Sequence, residues 1–138
     1  MVCTYCGSET QIFNSRHQKR TNSVWRRRKC LNCGSAFSTT EHVDYEKSWV
    51  VQYADGSLLP FLRDKLFVSL YKSLQHRPSA ATDAIGLTAT VISGLQKTVL
   101  DGSVTATAVA TLSRETLDRF DQAAATMYAA YHADSLTG

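Results

Sequence analysis

The sequence has no cysteine after position 33, and it has only two prolines and seven glycines in 138 residues. It also lacks any apolar run near the ~20 residues that span a bilayer. So little Gly and Pro excludes collagen-like and low-complexity chains. The opening stretch MVCTYCGSETQIFNSRHQKR has no apolar core of a secretory leader. A cytoplasmic protein with no membrane partner is therefore expected. There is no Walker-type Gly-x4-Gly-Lys-Ser/Thr loop, no nucleophile–base signature and no pair of carboxylates at a useful spacing. The four histidines, His17, His42, His76 and His132, are scattered. These gaps argue against an enzyme and leave no catalytic residue to name.

What is present is concentrated at one end. All four cysteines, Cys3, Cys6, Cys30 and Cys33, form two Cys-x-x-Cys pairs separated by twenty-three residues. In a cytosolic chain this spacing points to a tetrahedral metal site ahead of disulfides, a redox dithiol or an iron–sulfur centre. Two residues between thiolates let one tight turn aim both sulfurs at a single ion, with Zn–S near ~2.3 Å. Gly7 and Gly34 follow the second Cys of each pair, where such a knuckle needs positive φ. Four protein ligands leave no open position for water, so one structural Zn2+ per chain is expected.

Charge is equally lopsided. Residues 1–42 carry seven Lys and Arg (Arg16, Lys19, Arg20, Arg26, Arg27, Arg28, Lys29) against Glu9 and Glu41, a net +5. Residues 43–138 carry eight against ten, a net −2. A tetrathiolate zinc contributes −2, which leaves an excess of positive charge on a very small module. The run Arg26–Lys29 could simply solvate an exposed strand. Its arginine preference and the neighbouring flat rings of Trp25 and Phe37 point instead to phosphates and base edges. On a strand, Arg26 and Arg28 share one face and Arg27 and Lys29 the other.

Along the chain, TQIFNSR, SVWRRRKC and AFSTTEHV read as short strands around the knuckles, giving a β module over 1–44. SWVVQY, Asp55-Gly56 and SLLPF read as a β-hairpin. A helical stripe follows with Leu66, Phe67, Leu70, Tyr71 and Leu74, ended by HRPS. Ser79 is predicted to cap a helix running to about Lys97, with Ala81, Ile85, Ile92 and Leu95 as its apolar positions, which LDGSVT then breaks. Thr105 is predicted to cap a helix carrying Val109, Leu112 and Leu117. A last helix, from about Asp121, holds Ala124, Met127, Tyr128 and Tyr131. The predicted fold is α+β: a small all-β zinc ribbon, then a mainly α-helical domain over 46–134 that starts with a β-hairpin.

Taken together, VCTYCGSETQIFNSR and VWRRRKCLNCGSAFSTTE resemble the zinc ribbon of the NrdR family, bacterial regulators of ribonucleotide reductase genes. WVVQYADGSLLPFLRDKL, LQHRPS and a closing helix with Tyr131 resemble that family's ATP-cone. The resemblance implies a repressor that binds double-stranded DNA upstream of ribonucleotide reductase operons. ATP or dATP would reset its homo-oligomeric state. By position, Cys3, Cys6, Cys30 and Cys33 would bind zinc. Arg16, Arg26, Arg27 and Arg28 would face DNA, with Lys19, Arg20 and Lys29 widening the patch. Val50, Val51, Gln52, Tyr53, Gly56 and Lys65 would form the nucleotide pocket. Gln52 and Tyr53 stand where the family usually has Lys and Arg, one extra residue precedes Gly56, and Leu58 and Leu59 replace a charged pair. The alternative is therefore a cone that only oligomerises.

Overall fold

The computed structural model describes residues 1–137 and divides the chain into two compact units, Met1–Val43 and the part from Asp44 onward. The first unit is a three-stranded antiparallel sheet. β1 (Thr10–Gln18) pairs with β2 (Ser23–Cys30), and β2 pairs with β3 (Ala36–Glu41). Asn22, at φ 47, closes the β1–β2 connection. Among the described residues of this unit only Cys3, Ser23 and Cys30 are buried. A sheet with no buried aliphatic or aromatic side chain cannot offset its own chain entropy by apolar burial.

The second unit begins with a single turn, α1 (Tyr45–Ser48). It continues through β4 (Val50–Gln52), β5 (Leu58–Pro60), α2 (Arg63–Ser73), α3 (Ala80–Leu95), β6 (Ser103–Thr105), α4 (Ala106–Phe120), α5 (Gln122–Tyr131) and α6 (Ala133–Thr137). β4 lies between β5, to which it is antiparallel, and β6, to which it is parallel. Gly56 turns the hairpin at φ 84, and Ser57 N donates to Asp55 Oδ1 at 2.9 Å. Tyr45, Trp49 and Phe61 form an aromatic cluster with centroids 4.6–6.1 Å apart. The helices bury Leu70, Leu74, Leu95, Leu117 and Tyr128 completely, each leucine worth about 1.5–3 kcal/mol of apolar transfer. No helix among the described residues is long and apolar enough to cross a membrane.

The mixed α+β arrangement is as predicted, and the helix starts follow their caps. Thr105 Oγ1 accepts from Ala108 N at 3.0 Å, and Asp121 Oδ1 accepts from Ala124 N at 3.0 Å. Four details differ. Ser79 makes no side-chain cap; its hydroxyl donates to Asp83 Oδ2 at 2.6 Å instead. Ala81 and Ile85 face outward on α3, with Ile85 55% exposed. The buried stripe is Ala80, Ala84, Leu87, Thr88, Val91, Ile92 and Leu95, because small residues let α3 pack closely and shift its inward phase. Met127 and Tyr131 are likewise exposed on α5. The segment LDGSVT also does more than break a helix. It supplies β6 through a turn in which Asp101 and Gly102 both have positive φ, and Val50 N donates to Gly102 O at 2.8 Å.

Candidate metal centre and nucleic-acid interface

The two knuckles are built alike because their sequences are alike. Cys3-x-x-Cys6-Gly7-Ser8 and Cys30-x-x-Cys33-Gly34-Ser35 each turn through a glycine, at φ 75 and 74. Cys3 N donates to Ser8 O at 2.8 Å, and Cys30 N to Ser35 O at 2.9 Å. Tyr5 N and Asn32 N, in matching positions, each lie 3.4 Å from the first sulfur of their knuckle. Cys6 and Cys30 sulfurs are 3.5 Å apart, Cys3 and Cys33 sulfurs 3.7 Å, and all four lie within 4.8 Å of one another. A tetrahedral ion with Zn–S near ~2.3 Å needs sulfur separations of ~3.8 Å, so the donor set fits Zn2+.

At the second cysteine of each pair, Cys6 and Cys33, the same turns favour the thiolate. The Ser8 hydroxyl, followed by the Ser8 backbone, holds the Cys6 thiol down to about 6. The Ser35 hydroxyl lowers that of Cys33 in the same way. Hydrogen bonds to a charged sulfur stabilise it relative to the thiol. Ser8 and Ser35 are residues that reading the sequence passed over, although the repeated Cys-x-x-Cys-Gly-Ser carried the signal.

On the sheet, strand register sorts the cations. Thr10, Gln11 and Ile12 stand opposite Cys30, Lys29 and Arg28, but Asn14, Ser15 and Arg16 stand opposite Arg27, Arg26 and Trp25. Phe13 is the extra residue of a β-bulge. One face therefore carries Arg26 and Arg28 with Ile12, Ser15, His17, Val24, Phe37, Thr39 and Glu41. The other carries Arg16, Arg27 and Lys29 with Gln11, Asn14, Trp25, Ser38 and Thr40. Side-chain contacts respect this division. Arg26 reaches Ser15 at 3.4 Å and Glu41 at 3.9 Å, and Arg28 reaches Thr10 at 3.4 Å. Opposite them, Arg27 donates to Ser38 at 3.1 Å, and the Arg16 guanidinium lies 5.7 Å from the Trp25 ring centre. Lys19 and Arg20 sit in the β1–β2 turn, outside both rows.

In the second unit, a cavity of about 190 Å³ opens between the β4–β5 hairpin and the helices. Of the predicted nucleotide residues it brings together Val51, Tyr53 and Lys65. Val50 and Gln52 alternate to the other side of β4, and Gly56 lies in the hairpin turn, so these three do not line it. Phe61, Ser69, Tyr128 and His132 do. Lys65 Nζ donates to Tyr53 Oη at 3.2 Å and sits over that ring. A second cleft of about 580 Å³ shares Lys65, Ser69 and His132 and adds Lys72 and Gln75, with Val68 and Tyr131 beside them.

The family described as "Transcriptional repressor NrdR-like, N-terminal domain" matches residues 1–41, the segment holding all four sulfurs and the cation rows. Curated proteins named transcriptional repressor NrdR are similar over a longer stretch. That of Symbiobacterium thermophilum is 41% identical over 78 residues, covering 56% of this chain and 51% of the relative. Those of Staphylococcus epidermidis and Staphylococcus carnosus are 39% identical over 79 residues, covering 56% of this chain and 50% of each relative. These matches support the NrdR family. The chain spans about half the length of the curated NrdR proteins it matches. The NrdR-like ribbon coincides with the unit in which four sulfurs converge and apolar burial is missing. Within that ribbon, the bulge that separates Arg16 from Arg26 and Arg28 was not legible from the cation spacing.

Proposed function

We propose that the protein is a zinc-ribbon transcriptional repressor that binds duplex DNA through its basic N-terminal unit. One Zn2+ held by Cys3, Cys6, Cys30 and Cys33 supplies the structural cross-link for that unit. The observation that carries this reading is the convergence of four sulfurs within 4.8 Å in a unit with no aliphatic or aromatic core and a net +5 over its first 42 residues. With the metal fixing both knuckles, the strands hold their cations in register, so they meet phosphates without first paying ordering entropy. The repressor names of the similar proteins support the regulatory part. Ribonucleotide reductase operons are the proposed targets, and the cytoplasm the proposed compartment. The test is gel retardation of DNA by zinc-loaded and chelated protein across a salt series. Contact by about five cations predicts a log–log salt slope of roughly −4 to −5. No retardation, or retardation that survives chelation unchanged, overturns the reading.

For the second unit we propose regulation by ATP or dATP through oligomeric state. The two clefts sharing Lys65, Ser69 and His132 support this, one apolar enough for a base and the other bearing Lys65 and Lys72 for phosphates. A second reading rests on the exposed Leu58 and Leu59 of β5 and on the engagement of Lys65 by Tyr53. In it the unit assembles subunits and ignores nucleotide. Titration with ATP and dATP, following heat and molecular mass together, separates the two. Heat with a change in mass supports the first reading, and a constant oligomer without heat supports the second.

A further inference from the structure

The two faces of the ribbon sheet are chemically unequal, and the inequality traces to one residue. Without the bulge, with Phe13 itself paired to Arg27, the register set by Thr10, Gln11 and Ile12 would run on, and Arg16 would stand opposite Val24, beside Arg26 and Arg28. The bulge moves it across the sheet to stand opposite Trp25. The face that gains it then holds Arg16, Arg27 and Lys29, the amides of Gln11 and Asn14, and no carboxylate among the paired strand positions. The face that loses it holds Arg26 and Arg28 among Ile12, Val24 and Phe37, with Glu41 3.9 Å from Arg26.

From this we infer that the Arg16–Arg27–Lys29 face is the one that lies on duplex DNA, and that Arg26 and Arg28 serve the ribbon itself. The inference rests on the DNA-binding reading above and assigns that contact to one side of the sheet. Charge complementarity carries it, since three cations with no acid opposite them in the ladder suit a polyanion. Arg26, by contrast, is partly neutralised by Glu41, and Arg28 Nε is buried within the unit. Shape agrees. All three cations lie on the adjacent strands β1 and β2, whose ~4.8 Å spacing keeps them within the ~12 Å width of a major groove. The Arg16 guanidinium lies over the Trp25 ring, and Ser38 anchors one nitrogen of Arg27, leaving its remaining donors for phosphate oxygens. Gln11 and Asn14, in the same rows as Lys29 and Arg27, offer paired donor and acceptor groups to adenine edges.

The experiment uses the full zinc-loaded chain and a mixed-sequence DNA duplex, with single-stranded DNA and RNA hairpins as competitors. Cobalt substitution reports the tetrathiolate site in each variant. Arg16→Gln, Arg27→Gln and Lys29→Gln should each flatten the log–log salt slope by about 0.9 with an unchanged cobalt spectrum. Arg26→Gln should leave the slope where it was. Equal slope losses on both faces, or a loss only at Arg26, overturn the assignment while DNA binding stands. Tighter hold on single strands or RNA overturns the duplex as occupant. If the wild-type chain retards no duplex, the underlying reading fails and this inference fails with it.

Discussion

Asp121 and Arg77 are 44 residues apart in sequence, yet Arg77 Nη1 donates to Asp121 Oδ2 at 3.0 Å. The same oxygen is 2.9 Å from His76 Nε2, and the other carboxylate oxygen caps α5 through Ala124 N. Arg77 also donates through Nε to Asp83 at 3.0 Å and lies over the Phe120 ring. One carboxylate thus joins the turn after α2 to the start of α5, while Arg77 reaches the start of α3.

That junction predicts acid sensitivity in the second unit. The His76 contact, then the Ala124 N–H, hold the Asp121 carboxyl well below the usual carboxylate range, and the Ser79 hydroxyl, then Arg77, lower that of Asp83. A depressed carboxylate stabilises the fold fully above its unfolded value near ~3.9, and this contribution is lost as pH falls through the lower folded value. Thermal melts should therefore show the transition temperature declining progressively below about pH 5. Asp121→Asn keeps the helix cap but removes the charge. It should lower the transition temperature at neutral pH and flatten its acid dependence.

Two glycines of the second unit should respond in opposite directions. At Gly102 the backbone has φ 72, and a Cβ would stand 2.8 Å from the Ser48 carbonyl oxygen. Gly102→Ala should therefore destabilise by about 2 kcal/mol or more, since left-handed backbone alone costs an alanine ~1–2 kcal/mol. Gly86, on the exposed side of α3, has open space around the same position. Gly86→Ala should stabilise by about 0.8–1 kcal/mol. Urea melts of both variants check the sign.

Removing the metal should divide the chain's behaviour. With a strong chelator, β1, β2 and β3 should unfold, because nothing apolar beyond Cys3 and Cys30 is buried there. The second unit should keep its helical circular dichroism and the buried fluorescence of Trp49. Loss of helix in parallel with zinc would contradict this.

Side-chain truncation should expose the true phase of the helices. Leu117→Ala, at a fully buried position of α4, should cost about 2–5 kcal/mol. Ile85→Ala, on the exposed side of α3, should stay within roughly ±0.5 kcal/mol. Equilibrium denaturation of both decides whether Ile85 belongs to the core.

Much of this architecture could be read from the residues, and the failures have physical causes. The ribbon strands were legible because turn residues punctuate β-branched and aromatic runs, and the metal centre because two knuckles repeat. The hairpin, the Thr105 cap and the helix start near Asp121 were legible for the same local reasons. β6 was not, since its three residues become a strand only by pairing with β4 some fifty positions earlier. The full inward face of α3 was not legible, because beside Ile92 and Leu95 it includes Ala80, Ala84 and Thr88, small residues that carry little hydrophobic signal. At the cavity, three of six predicted residues meet because alternation along β4 turns Val51 inward and Val50 and Gln52 outward.

The bulge lets β1 carry one more residue than its partner without losing register downstream. Deleting Phe13 would leave every other pairing in place, with Asn14 following Ile12 in a regular ladder and Arg16 still opposite Trp25. Pairing Phe13 with Arg27 would instead carry the upstream register on, put Arg16 opposite Val24 and exchange the two sides from Asn14 onward. In such a strand, which residue is left unpaired matters as much as which residues are present.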